Sequence, residues 1–134
     1  MNSIKIILAL LLSIVTSLLG GYDMAIQVLT TLIVIDYLTG IMKAIVNKEL
    51  SSYLGWRGLI KKISMYLCIM VAVQLECLIN QPNTIRNLVA FGFVANEGIS
   101  ILENLDALGI KVDILKKHFD NMRNEENKNK KDGE

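Results

Sequence analysis

The run from Met24 to Val46 is apolar almost without interruption, yet Asp36 sits in its middle and a group of basic residues follows it. At a rise of about 1.5 Å per residue, some 20 helical residues cover the ~30 Å hydrocarbon core of a bilayer, so the run is long enough to cross one. An aspartate at its centre costs about 2.5–3.5 kcal/mol on insertion scales. An apolar replacement would insert better, and an acid held at such depth usually faces a bundle interior or a watery path. A chain built around this segment is a small membrane protein whose chemistry is passage rather than catalysis.

The rest of the chain supports that reading. In a chain of 134 residues with formal net charge +1, the apolar residues concentrate before Leu105, while residues 111–134 are mostly charged or amide-bearing. A soluble domain would alternate apolar and polar stripes throughout, and the polar C-terminal stretch is too short to enclose a core of its own. The single histidine, His118, lies far from both cysteines, which leaves no metal set and no Cys/His pair. Cys68 and Cys77 are nine helical steps of about 100° apart, on opposite faces, so they can neither bond to each other nor share a metal. No phosphate-cradling glycine loop is present. These observations argue against an enzyme, a cofactor or a nucleic-acid partner.

Four hydrophobic segments are expected to be helical, at about residues 4–21, 24–46, 63–79 and 88–104. The first follows Lys5 and could be a secretory signal, but Ser17-Leu18-Leu19-Gly20 is a poor cleavage site and the next apolar run begins just beyond Gly21. A retained, rather short helix with a Gly-Gly-Tyr-Asp turn is the better reading. Asn80-Gln81-Pro82-Asn83 signals a turn before the fourth segment, which Asn96 and Glu97 interrupt. Cytoplasmic loops retain Lys and Arg. Lys48, Arg57, Lys61 and Lys62 lie between the second and third segments, with Lys43 just inside the second, and residues 111–131 are rich in lysine. Four crossings with both termini inside put every one of these residues in the cytoplasm and leave only Arg86 outside. The rival is three crossings, with the first segment along the surface and the N-terminus outside.

The expected fold is therefore an all-α membrane protein with about four transmembrane helices, or three, in residues 1–105. A short amphipathic helix at the cytoplasmic surface follows in 106–123, with Asp113 as N-cap and Ile114, Leu115, Phe119 and Met122 on its apolar side. Residues 124–134 lack apolar side chains and are expected to be a disordered charged tail. Residues 51–58, rich in serine and glycine, read as a cytoplasmic hairpin anchored at the interface by Tyr53 and Trp56.

Helical spacing collects Asp36, Thr39, Gly40, Lys43 and Asn47 into one polar stripe, and Asn96, Glu97, Ser100, Glu103 and Asn104 into another. On one reading these stripes face each other, another copy of the chain, or water in an assembled pore. On the other they are bundle-interior hydrogen bonds that only fix helix rotation. Intramembrane carboxylates favour the first reading, whereas Thr39, Ser100 and the asparagines fit the second, since such groups commonly join transmembrane helices. Gly40 and Ala44 form a small-xxx-small pair, and Lys43 and Lys48 suit snorkelling to headgroups.

Asp36-Tyr37-Leu38-Thr39-Gly40 resembles the D-x-x-T-G signature of the phage lysis and toxin-secretion holin family. Ser51-Ser52-x-x-Gly55-x-x-Gly58-x-x-Lys61-Lys62 resembles that family's basic loop, and the stretch from Asn96 to Asn104 followed by Leu108-Gly109-Ile110 resembles its C-terminal block. The three motifs occur in order over residues 32–119. Asp113 is a departure, since relatives are expected to carry proline there. The resemblance implies a homo-oligomer in the host's bacterial cytoplasmic membrane, and the basic residues put its C-terminus on the cytoplasmic side. It would form lesions that release a cell-wall hydrolase (an endolysin) or a toxin, collapse the membrane potential, and form no stable complex with what they release. The candidate pore and oligomerisation residues are those of the two polar stripes, Asp36, Thr39, Gly40, Lys43, Asn96, Glu97, Ser100 and Glu103. Without the resemblance, the residues fit a small oligomeric ion channel or a membrane assembly protein as well.

Overall fold

The structure, a computed structural model, describes the backbone of residues 2–81 and 83–131 and, apart from residues 2, 54, 114, 122 and 125–131, their side chains. It is all helical: α1 (Asn2–Leu18), α2 (Met24–Val46), α3 (Ser52–Ile79), α4 (Thr84–Ala107) and α5 (Asp113–Lys131). Three helical stretches among the described residues are long and apolar enough to cross a membrane, Met24–Val46, Gly55–Ile79 and Thr84–Ala107. The protein is a multi-pass membrane protein. The first expected crossing is a helix of 17 residues that ends at Leu18, and at about 25 Å it falls short of a full hydrocarbon core.

Several helix ends have an identifiable cause. Asp23 caps α2, its carboxylate accepting the Ile26 amide at 3.2 Å. Between α3 and α4 the chain turns through Asn80 and Asn83, both with positive φ; Pro82 of the expected turn lies outside the described residues. The orphan amides at the start of α4 are satisfied from α3. Glu76 accepts from Asn83 N and Arg86 N, each at 2.9 Å. Gly109 (φ 83°) ends α4 in the left-handed conformation, with its amide bonded to Asp106 O and that of Ile110 to Leu105 O.

The central helix is α4, which packs against α2, α3 and α5, whereas α2 and α3 touch each other little. Leu19, Ile26, Leu29, Ile33, Met65, Ile69, Ala90 and Val94 form the buried core. Most of the remaining large apolar side chains point outward, as lipid requires, and α1 exposes nearly its whole circumference.

Two expectations are corrected. The segment expected as a hairpin is helical, because α3 begins at Ser52 rather than near residue 63. Serine at the helix start and glycines within it carry no β-branched or proline barrier to helix, and burial of the following face outweighs their weak propensity. Arg57, Lys61 and Lys62 therefore belong to a transmembrane helix, and only Lys48 of the expected basic loop lies in the connection. The second concerns the extent of the last helix, expected over 106–123, whereas α5 spans Asp113–Lys131; Glu and Lys are good helix formers even where nothing apolar is available. Residues 132–134 and the side chains of Ile114 and Met122 lie outside the described set. Nor is α5 a free surface helix, for it packs along α4 with the Phe119 ring seated on Gly98.

Candidate functional site

Three helices each contribute one charge to a single buried layer. Asp36 comes from α2, Lys62 from α3 and Glu97 from α4, with exposures of 9%, 7% and 1%. Lys62 Nζ donates to Asp36 Oδ2 at 2.6 Å and also to Glu97 Oε2. Asn104, about two turns further along α4, donates to Asp36 Oδ1 at 3.2 Å and to Thr39 Oγ1 at 3.3 Å. The Thr39 hydroxyl reaches its own helix at Ile35 O and Asp36 O, both at 3.0 Å. Every buried side-chain polar atom among the described residues has a partner.

One ammonium thus holds two carboxylates in a largely buried layer. Each ion removed from water costs several kcal/mol even after relaxation, and only close pairing offsets that cost. Taking the three groups as ionised, the layer carries one positive and two negative charges, so its cohesion depends on Lys62.

A second polar layer closes the other end of the bundle. The Arg86 guanidinium, 1% exposed, grips both carboxylate oxygens of Asp23 (2.8 and 3.1 Å) and donates to Leu19 O at 2.6 Å and Gly21 O at 3.2 Å. This explains the one basic residue that the charge rule leaves outside. Arg86 ties the α1–α2 turn to the start of α4, and it needs Gly20 to do so. A Cβ on Gly20, whose φ is +73°, would lie 3.1 Å from Arg86 Nε. The guanidinium beside Asp23 holds its carboxyl below the usual carboxylate range, against a lesser upward push from burial. From Asp23 to Asp36, Arg86 to Glu97 and Lys62 to Glu76, the two layers are roughly 16–21 Å apart along the helices. The Asp36 layer therefore lies inside the hydrocarbon span.

Below that layer α2 and α3 diverge around an open cavity of about 710 Å³. Asp36 and Lys62 form its inner end, and Gly40, Lys43, Trp56 and Lys61 are among its lining residues. Of the two sequence stripes, the structure brings together Asp36, Thr39, Glu97 and Asn104. Lys43 is half-buried on the cavity wall, Asn96 and Ser100 are half-buried outside the hydrogen-bonded set, and Glu103 is exposed. Sequence reasoning placed Lys62 in a loop and missed it as the partner of both acids. A signal was present, since Lys62, Met65, Ile69, Val73 and Glu76 continue one buried helical face. Among the described residues no group of three His, Cys, Asp or Glu could hold a metal ion.

A family model described as the bacteriophage holin family matches residues 13–124 of the chain. An uncharacterized protein of Clostridium perfringens is 39% identical over 126 residues, covering 92% of this chain and 93% of its own. An uncharacterized protein of Listeria monocytogenes is 40% identical over 100 residues, with 74% of this chain and 71% of its own covered. A probable holin of Bacillus phage phi105 is 32% identical over 101 residues, covering 75% of each chain. No solved structure matches.

Proposed function

The chain belongs to the bacteriophage holin family, and we propose that it accumulates closed in the bacterial cytoplasmic membrane and opens by assembling many copies into a lesion. Its function is holin-like pore formation. The finer reading is that the lesion releases a cell-wall hydrolase, without a stable complex between the two, and that the C-terminus is cytoplasmic. The basic residues Lys48, Arg57, Lys61 and those of α5 support that orientation.

The observation that carries this reading is the buried layer of Asp36, Lys62 and Glu97. In one copy its charges are satisfied internally and its helices pack on side chains, so a single bundle encloses no passage for a folded enzyme. In an assembly, the same groups have a second way to be satisfied, by turning α2 and α4 so that they line water. Pairing of the buried charges makes the closed form tolerable in lipid, and the same charges make the open form tolerable in contact with solvent. Crosslinking of membranes sampled before and after triggering tests the proposal. A ladder that lengthens at lysis is the expected result, whereas a chain that stays monomeric or dimeric through lysis contradicts it.

A further inference from the structure

The cavity between α2 and α3 has features that the closed bundle does not explain. Lys43 and Lys61 both line it, and neither makes an ion pair among the described residues. Lys62, at its inner end, is already committed to Asp36 and Glu97. Two ammonium groups outside any ion pair among the described residues therefore flank an open space, which Glu49 lines as well, on the side of the Asp36 layer away from Arg86. On α3, the wall that carries Lys61, Gly55 and Gly58 leave the cavity without side chains, and a Cβ on Gly58 would meet nothing within 4 Å. Beside the cavity the helices are apolar and exposed, with Leu38 and Met42 on α2 and Ile63 on α3, and Leu59 of α3 continues that surface into the lining. Trp56, 63% exposed, stands at the edge, where an indole suits the headgroup region.

A ligand that matches this combination has an anionic head and hydrocarbon tails. We propose that the cavity is a binding site for an anionic phospholipid. Its phosphate would be held by Lys43 and Lys61 inside the cavity, and its acyl chains would lie along the apolar flanks of α2 and α3. The headgroup would pair with the two ammonium groups and fill the space between two helices that barely touch. The inference rests on α2 and α3 crossing the membrane but not on lesion formation.

Trp56 is the single tryptophan of the chain, so its fluorescence reports this site alone. The full chain is reconstituted in phosphatidylcholine bilayers, and a small, fixed fraction of lipid is replaced by brominated phosphatidylglycerol or by brominated phosphatidylcholine. The glycerol lipid should associate more tightly by about fivefold or more, the equivalent of at least one lysine near an anionic surface. The double variant Lys43→Gln/Lys61→Gln should abolish the preference. Gly58→Leu should weaken it while keeping both charges, by filling the space, and Lys117→Gln on α5 should leave it unchanged. Millimolar glycerol phosphate should not relieve the quenching. Equal quenching by the two lipids, or a preference that survives the double lysine variant with its helical circular dichroism intact, overturns the proposal. Relief by glycerol phosphate would replace the lipid with a free phosphate ester and overturn it too. Any of these results alongside normal lysis would leave the pore-forming role standing.

Discussion

Lys62 separates two carboxylates in a largely buried layer, and the consequences of changing it follow from that placement. Lys62→Met leaves Asp36 and Glu97 facing each other unpaired, and should lower stability by about 3–5 kcal/mol. Adding Asp36→Asn and Glu97→Gln to the same chain should restore most of the loss, because the uncompensated charge goes with them. Thermal melts of the detergent-solubilised protein would check both, and equal melting of Lys62→Met and the parent would contradict the account. Asp36→Asn or Glu97→Gln alone keeps shape and removes charge, so accumulation should be normal or higher while the time of lysis changes for at least one of them. The two acids were legible in the sequence, since a carboxylate in an apolar run stands out by its cost. Their lysine was not, because Lys61-Lys62 after a serine- and glycine-rich stretch reads as a basic loop. Only the packing of α3 on α4 turns one of the two adjacent lysines inward and leaves the other at the surface.

At the scale of elements, two contacts decide how the flanking helices attach. A Cβ at Gly98 would overlap the Phe119 ring, so Gly98→Leu should push α5 off α4. Trypsin should then cut the solubilised chain faster at Lys116 and Lys117, without loss of the α2–α4 bundle; unchanged cleavage would mean that α5 is held elsewhere. At the opposite end, the lowered pKa of Asp23 makes its ion pair with Arg86 a stabilising contact at neutral pH. That contribution is present above the ordinary aspartate pKa of about 3.9 and is lost as pH falls below it. Asp23 is half exposed, so the effect is modest. The difference in melting temperature between the parent and Asp23→Asn should be constant from pH 7 down to about pH 5 and shrink under more acid conditions. A difference that grows on acidification would reverse the assignment. Neither contact was visible in the sequence. Helical periodicity gave the apolar faces of α2 and α4, but nothing local pairs Gly98 with Phe119 or Asp23 with Arg86, and the helix boundaries at Ser52 and Lys131 depend on packing and propensity that turn residues obscure.

The whole molecule is a small bundle with α4 at its centre, a short apolar α1 standing apart, and charge stored in its interior. Its general architecture was readable from length, apolar runs and the placement of lysines, since lipid leaves a chain few alternatives to helices. What was not readable is that the polar stripes meet through a third helix and are closed in a single copy. Deleting residues 124–134 should leave lesions intact and shift when they form, because that segment has no apolar side chain with which to line a membrane wall; complete loss of lysis at normal expression would contradict this. The central claim is that opening turns the buried layer toward water. Thr39 lies in that layer but carries no charge, so Thr39→Cys can report on it with little disturbance, in a background where Cys68 and Cys77 are serine. A membrane-impermeant thiol reagent should leave Thr39→Cys unlabelled in membranes prepared before lysis and label it in membranes prepared after, while Leu38→Cys, on the lipid-facing side, stays unlabelled in both. A Thr39→Cys chain that lyses cells on time and stays unlabelled afterwards would show that the lesion forms with the layer still closed, contrary to the account.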